Sequence, residues 1–239
     1  MRKISVFENE QALSKSAADF IVSLAARQIA ENGKFTIALS GGNTPSLLFQ
    51  LLASDDYNKA IQWKNTFVFW GDERCVPPQD ERNNSHVAKE LLLNHVNIPS
   101  ENIFCVPVKL SPPRAANAYE QTLKLFFKES IPAFDLILLG MGDNGHTASL
   151  FPHTPILHEK TAIVKEVYVK ELDMSRVSFT APLINHANII LFLVAGSNKA
   201  AMLHTVLEGK ENIEKYPAQM VKGKKVLWYI DKSAAAKLK

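Results

Sequence analysis

Residues 134–152 read FDLILLGMGDNGHTASLFP, and this stretch decides which fold the chain adopts. It begins with a continuous apolar run, which is typical of a strand buried on both faces of a sheet. Three glycines follow within six residues, so the strand ends in a tight loop. That loop carries His146, the type of side chain that most easily exchanges a proton near neutral pH. The stretch therefore predicts a buried strand whose carboxyl end presents a proton carrier.

The same order of elements repeats along the chain. Helical periodicity first appears from Glu8 to Asn32 and stops at Gly33. The predicted strands are FTIALS (35–40), TFVFWG (66–71), IFCVPV (103–108), FDLILLG (134–140), IVKEVYV (163–169), RVSFTA (176–181), NIILFLVAG (188–196) and VLWYID (226–231). The further predicted helices lie at 47–53, 84–95, 112–129 and 197–208. Strands that alternate with helices predict an α/β fold, with a mostly parallel sheet covered by helices on both faces.

Length, charge and cysteine count narrow the class of protein. No repeat, low-complexity tract or linker divides the 239 residues, so we expect one domain over 1–239. The net charge of +3 is weak and dispersed, which argues against nucleic acid as a partner. No run is apolar enough to span a membrane, and the first residues do not form a secretory signal. Two cysteines are too few for a disulfide framework, so we expect a cytoplasmic protein.

Ligands of open α/β sheets bind beyond the carboxyl ends of the strands, so the segments that follow strands are the candidate site. The first, SGGNTPS (40–46), has Gly41 and Gly42 where bare backbone N–H groups could turn outward. Thr44 is predicted to cap the next helix and Pro45 to begin it. A helix start of this kind suits a phosphate, although an ordinary strand-to-helix turn would have the same sequence pattern. Neither nucleotide-binding glycine motif is present.

The second segment is WGDERCVPP (70–78), which brings acidic and basic side chains together directly after an apolar strand. A carboxylate from Asp72 beside the guanidinium of Arg74 could bind a polar substrate and orient a proton carrier. A solvated salt bridge in a loop is the alternative interpretation. Both remain open at this stage.

Two more basic residues lie beside predicted strands: Arg176 opens RVSFTAP, and Lys199 follows AGSN at the start of a helix. An anionic ligand would relieve the unfavourable placement of a lysine in a first helical turn. The other six histidines lack metal-ligand spacing and are expected to be ordinary surface or core residues. We therefore expect neither a metal nor a cofactor.

Taken in order, SGGNTP, GDERCVP, GMGDNGHTASLFP, RVSFTAPLIN and AGSNKA resemble the 6-phosphogluconolactonases, over about residues 8 to 232. The resemblance implies a three-layer α/β fold related to that of the sugar-phosphate isomerases. It also implies hydrolysis of 6-phospho-D-glucono-1,5-lactone to 6-phosphogluconate, in the oxidative pentose phosphate pathway. The implied partner is a small sugar-phosphate lactone, and we expect a monomer or weak homodimer.

Carried over by motif, the resemblance assigns His146 as the general base and places the lactone near Asp72 and Arg74. It assigns the phosphate to the glycine-rich turn, with Arg176 and Lys199 as cationic partners. The candidate catalytic residues are His146, Asp72 and Asn144, and the candidate binding residues are Gly41, Gly42, Asn43, Thr44, Arg74, Arg176 and Lys199.

One position departs from the family pattern, which commonly has an acidic residue directly before Gly-His. Here that residue is Asn144, and Asp143 lies one position earlier. Asn144 could accept a hydrogen bond from the histidine but carries no charge to stabilise an imidazolium. The expected consequence concerns the rate and pH profile rather than the reaction.

Two rival functions make different predictions. A deaminase of the related family has a glutamate five residues after the histidine, where this chain has Phe151. A non-catalytic sugar-phosphate sensor would carry a DNA-binding segment, and the residues before the first helix are too few for one. Hydrolysis of a sugar-phosphate lactone remains the predicted function. No G-x-S-x-G motif is present, so we expect no acyl-enzyme intermediate.

Overall fold

The computed structural model describes residues 1–239. The strands are β1 (Arg2–Phe7), β2 (Phe35–Leu39), β3 (Thr66–Trp70), β4 (Asp72–Arg74), β5 (Leu136–Leu139), β6 (Val164–Val169), β7 (Met174–Phe179), β8 (Ile190–Val194) and β9 (Val226–Asp231). The α-helices are α1 (Glu10–Asn32), α2 (Asn43–Ala53), α3 (Asp55–Asn58), α4 (Asn84–Leu91), α5 (Pro112–Phe127), α6 (Ala181–His186), α7 (Ala200–Glu208) and α8 (Lys232–Ala235). None of these helices is long and apolar enough to cross a membrane.

Six strands form the main sheet, in the order β1-β9-β8-β5-β2-β3, and every adjacent pair is parallel. All residues of β2, β5 and β8 are buried, as expected for continuous apolar strands covered on both sides. Two apolar clusters, of 33 and 25 buried residues, receive alternate side chains of these strands. The predicted parallel sheet between helical layers is confirmed.

A second, smaller sheet was not predicted. It has the order β4-β7-β6, and both of its strand pairs are antiparallel. The segments IVKEVYV and RVSFTA therefore do not extend the parallel sheet. Only the short connection 170–173 joins them, whereas a parallel pair needs a crossover of a dozen residues or more, so they form a hairpin.

The prediction of a strand at IFCVPV (103–108) is wrong. The segment makes one isolated parallel bridge, Ile103 to Val68, and the backbone N–H of Phe104 donates to the Val68 carbonyl at 2.9 Å. Pro107 has no N–H to continue a ladder, which favours an early end to the pairing. Phe104 stacks on Phe69 instead, with ring centroids 4.6 Å apart.

The first strand, β1, was missed because it lies at the edge of the main sheet and is largely exposed. Its pairing with β9 joins the two ends of the sequence in one sheet. The first helix was predicted well: Asn9 accepts a hydrogen bond from the Ala12 N–H at its start. At its end Gly33 adopts a left-handed conformation with φ of 75°.

Candidate active site

A cleft of about 540 Å³ lies at the carboxyl edge of the main sheet. The loops that follow β2, β3, β5 and β8 surround it, and Arg176 reaches it from β7 of the small sheet. Nine of the ten candidate residues line this cleft: Gly41, Gly42, Asn43, Thr44, Asp72, Arg74, His146, Arg176 and Lys199. Asn144 does not line the cleft, but its side chain contacts the His146 ring.

The glycine-rich turn after β2 leads directly into α2. The cap position is Gly42, with φ of 113°, so the prediction that Thr44 caps this helix is wrong; Thr44 lies in its first turn. No side chain caps this helix end, which leaves backbone N–H groups and the positive end of the dipole facing the cleft. A Cβ at Gly41 would lie 1.9 Å from Oδ1 of Asn84, so only glycine fits there.

Asp72 begins the short strand β4 and is 5 % exposed. Its Oδ2 accepts a hydrogen bond from the Ser149 hydroxyl at 2.6 Å and lies 3.8 Å from a guanidinium nitrogen of Arg176. The side-chain amide of Asn84 donates to the Asp72 carbonyl at 2.9 Å. The carboxylate is therefore held between a donor from the His146 loop and a cation from the small sheet.

Arg74 and Arg176 lie opposite each other in the antiparallel pair of β4 and β7. Arg176 lies within β7 rather than at its start, so the expectation that it opens the strand is wrong. Its guanidinium carbon lies 5.0 Å from the centre of the Phe151 ring, and its Nε, like that of Arg74, is buried without a hydrogen-bond partner. Arg176 is buried and Arg74 is partly buried, and each keeps an unpartnered Nε, which favours an anionic ligand.

His146 lies in the tight turn after β5 and is half-buried. Its Nδ1 is 2.6 Å from Oδ1 of Asn144, and its ring stacks on Phe151, with centroids 4.0 Å apart. An amide oxygen only accepts hydrogen bonds, so Nδ1 carries the proton and Nε2 keeps its lone pair. Directly after His146, Thr147 and Leu150 form an isolated antiparallel bridge.

Burial lowers the pKa of His146 from 6.5 to about 4. The charge of Asp72 opposes this shift, whereas the charges of Arg176 and Lys199 add to it. The imidazole is therefore neutral near pH 7 and able to accept a proton, although it is a weaker base than an exposed histidine.

Lys199 lies in a 3₁₀ turn between β8 and α7, and its ammonium contacts Oδ1 of Asp143 at 2.5 Å. Asp143 therefore contacts Lys199, and Asn144 is the residue that contacts the His146 ring. The side-chain amide of Asn198 donates to the same oxygen of Asp143 at 3.2 Å.

Two polar residues of the site were missed by the sequence reasoning. Ser149 is fully buried and donates to Asp72. Glu73 is also fully buried, and its carboxylate accepts hydrogen bonds from the backbone N–H groups of Arg74, Asn84 and Ser85. Both lie inside motifs already singled out, so their position in the sequence was the available signal.

The remaining histidines lie outside the cleft. His158 and His204 each contact a glutamate, Glu214 at 3.3 Å and Glu208 at 2.9 Å respectively. No group of three or more histidine, cysteine or acidic side chains is arranged to hold a metal ion.

A parallel α/β sheet with a histidine and a cluster of cations at its carboxyl edge defines a protein suited to small anionic ligands. A sequence profile of the family described as glucosamine-6-phosphate isomerases/6-phosphogluconolactonase matches residues 8–228. The chain belongs to this family.

Relatives and solved structures share the full length of the chain. A 6-phosphogluconolactonase of Synechocystis sp. is 40% identical over 243 aligned positions, which cover 99% of this chain and 98% of that protein. One from Haemophilus influenzae is 38% identical over 237 positions, with 98% of each covered. The structure of the 6-phosphogluconolactonase from Trypanosoma cruzi superposes with a TM-score of 0.86 at 28% identity, covering 100% of this chain and 97% of the other.

Proposed function

We infer that this chain hydrolyses 6-phospho-D-glucono-1,5-lactone to 6-phospho-D-gluconate, the lactone step of the pentose phosphate pathway. The full-length similarity to proteins named 6-phosphogluconolactonase supports this reaction. The single observation that carries the mechanism is the contact of His146 with Asn144, at the edge of a cleft that also contains Arg176 and Lys199.

In the proposed mechanism, His146 is the general base. A water molecule attacks C1 of the lactone and gives a proton to Nε2, while Nδ1–H donates to the Asn144 oxygen. The ester bond between C1 and the ring oxygen then breaks, and the imidazolium returns the proton to that oxygen. Base assistance of this kind contributes roughly 10²–10⁴-fold to the rate. No covalent intermediate with the protein is needed.

Asp72 and Arg74 take the lactone end of the substrate. Asp72 stabilises the imidazolium that forms, because its negative charge already favours the protonated ring. Arg74 lines the cleft, and its guanidinium is available to the oxyanion that develops at C1. A single donor of this type is worth about 2.7–4 kcal/mol in other hydrolases.

In this proposal the phosphate group binds beside the start of α2. The uncapped start of α2, from Gly41 to Thr44, offers backbone N–H groups, and the cations come from Arg176 and Lys199. Binding energy from the phosphate orients C1 toward the water, so this remote contact assists the chemical step.

The test is acid release from freshly prepared lactone, measured above the spontaneous rate. His146→Ala and His146→Gln should each lower kcat by roughly 10²–10⁴-fold while the thermal unfolding midpoint stays near that of the unchanged protein. Turnover that persists in both variants would show that the base is another group.

The deaminase alternative is tested with glucosamine 6-phosphate. We expect no ammonia release, because the position where that chemistry has a glutamate is Phe151, whose ring stacks on His146. Ammonia release at a rate comparable to lactone hydrolysis would contradict this assignment.

We also propose that residues 1–239 act as one domain in the cytoplasm, as a monomer or weak homodimer. The pairing of β1 with β9 supports one domain, because the main sheet needs both ends of the sequence. Cys75 and Cys105 are free thiols, in keeping with a reducing compartment.

A further inference from the structure

The cation proposed to bind phosphate already has an anionic partner within the protein. Nζ of Lys199 contacts Oδ1 of Asp143 at 2.5 Å, and the side-chain amide of Asn198 donates to the same oxygen at 3.2 Å. Both partners of the ion pair line the cleft. A carboxylate oxygen therefore lies where the oxygen of a bound anion would contact Lys199.

The two partners of the ion pair differ in their exposure to solvent. The side chain of Lys199 is 21% exposed, whereas that of Asp143 is 70% exposed. Asp143 lies between Gly142 and Gly145 in a turn closed by the hydrogen bond from the Gly145 N–H to the Gly142 carbonyl. The Lys199 side chain is mostly buried in the cleft wall, whereas the Asp143 side chain is mostly exposed to solvent.

We propose that Asp143 is an internal competitor for the phosphate of the substrate, occupying Lys199 in the free enzyme and leaving it when the phosphate binds. The inference rests on the proposed function, because it needs Lys199 as a phosphate ligand. A dianion that also contacts the start of α2 and Arg176 displaces one carboxylate, whereas a singly charged anion with fewer contacts does not. Asp143 thus makes the cleft selective for a phosphate group.

The expected size of the effect follows from the exposure of the pair. An exposed ion pair is weak, so its removal should strengthen phosphate binding by up to about five-fold. Asp143→Asn keeps the shape of the side chain and an amide oxygen but removes the charge. Glu10→Gln is the matched control, because Glu10 lines the same cleft without an ion pair in the structure.

The first experiment measures binding of inorganic phosphate by calorimetry and does not depend on turnover. Asp143→Asn should lower the Kd by up to about five-fold, and Glu10→Gln should leave it unchanged. In a Lys199→Met background, Asp143→Asn should have no effect on the Kd, because the competition needs the ammonium group.

The second experiment separates KM from kcat for the phosphorylated lactone. Asp143→Asn should lower KM by a similar factor without changing kcat, since His146 is neutral at the assay pH with or without the charge. For glucono-1,5-lactone, which lacks the phosphate, both parameters should stay as in the unchanged protein.

Two outcomes overturn the inference. Weaker phosphate binding by Asp143→Asn would mean that Asp143 positions Lys199 for the ligand. Equal tightening with and without Lys199, or in Glu10→Gln as well, would mean that only the general field of the cleft changed. If the unchanged protein bound phosphate as expected but did not hydrolyse the lactone, the proposed reaction would fail while the competition at Lys199 stood.

Discussion

Asn144 differs from an aspartate by a single heavy atom, and that difference sets the environment of the His146 ring. The amide oxygen of Asn144 accepts from Nδ1 but adds no negative charge beside a half-buried imidazole. Burial then lowers the pKa of His146 to about 4. The hydrogen bond to Asn144 fixes the tautomer of the ring, and the absence of a charge on Asn144 leaves the ring weakly basic.

We predict that Asn144→Asp raises the pKa of His146. A carboxylate that accepts from Nδ1–H stabilises the imidazolium, so protonation occurs at higher pH. The base is lost on protonation, so the acid limb of the kcat profile should move upward by about one to three pH units. The measurements are kcat against pH and the NMR titration of the ring.

Asn144→Ala is the control for that prediction. It removes the orienting oxygen without adding charge, so kcat should fall with no upward movement of the acid limb. An unmoved acid limb in Asn144→Asp would mean that residue 144 does not contact the ring during turnover.

Gly142 offers a second residue-scale prediction. A Cβ at this position would lie 2.1 Å from both Nδ1 and Cε1 of His146, so Gly142→Ala must displace the ring. A misplacement of about 1 Å can lower a rate roughly 10²-fold, and we expect a loss of that order in kcat. Kinetics and the NMR shifts of the ring check it.

Gly140→Ala is matched to this change, because it adds the same methyl two residues away where nothing lies within 4 Å. The ring shifts of His146 should be unaffected in this variant. If Gly142→Ala behaves like Gly140→Ala, the ring is not confined as the structure describes.

A residue could be assigned to the site from the sequence where it directly follows a strand of the main sheet. His146, Asp72 and Lys199 could be placed in this way, because parallel strands end at one edge. Ser149 and Glu73 lie in the same motifs but were not assigned a role, because their roles depend on hydrogen bonds that the sequence does not show. A buried serine has no sequence pattern that separates it from a turn serine.

At the scale of elements, the central strands β2, β5 and β8 were predictable and the small sheet was not. Continuous apolar runs identify strands buried on both faces. Strand β4 has three residues, all charged, and β1 is exposed, so neither carries an apolar signal. The IFCVPV segment has such a signal, but its apolar side chains pack without a ladder.

The start of α4 carries a prediction about stability. Its backbone N–H groups at Asn84 and Ser85 donate to the carboxylate of Glu73. Burial nevertheless raises the pKa of Glu73 from 4.5 to about 7, and the backbone hydrogen bonds oppose the shift only in part. The folded chain therefore binds a proton here between pH 4.5 and 7 that the unfolded chain has released.

The free energy of unfolding should thus contain a contribution from Glu73 that falls as pH rises through this window and is constant above it. In Glu73→Gln this contribution is absent. Between about pH 5 and about pH 8, the unfolding free energy of the unchanged protein should therefore fall relative to that of Glu73→Gln. Chemical denaturation at the two pH values measures it.

Glu159→Gln serves as the control for pH dependence. Backbone N–H groups of Ala162 and Thr161 lower the pKa of Glu159 to about 2, so its carboxylate stays ionised in the folded chain over the tested range. The difference in unfolding free energy between Glu159→Gln and the unchanged protein should vary little with pH. A difference for Glu73→Gln that is equally constant would mean that Glu73 does not titrate near 7.

At the scale of the whole molecule, the cleft exists because two sheets meet. The main sheet supplies His146 through the β5 loop, and the small sheet supplies Asp72 and Arg176. The hydrogen bond from Ser149 to Asp72 links the two directly. A second link runs from the backbone N–H of Ser149 to the hydroxyl of Ser178 in β7, at 3.1 Å.

We predict that Ser149→Ala lowers kcat about tenfold and leaves KM and phosphate binding nearly unchanged. Without the hydroxyl, the Asp72 carboxylate loses the donor that holds its Oδ2 and supports the imidazolium less well. The phosphate end of the cleft has no contact with this hydroxyl, so binding should not change.

Ser178→Ala removes the other link without touching the carboxylate, so it should lower the unfolding midpoint more than kcat. If the two variants lose kcat equally, the sheets are joined for stability alone, and the placement of Asp72 does not depend on Ser149.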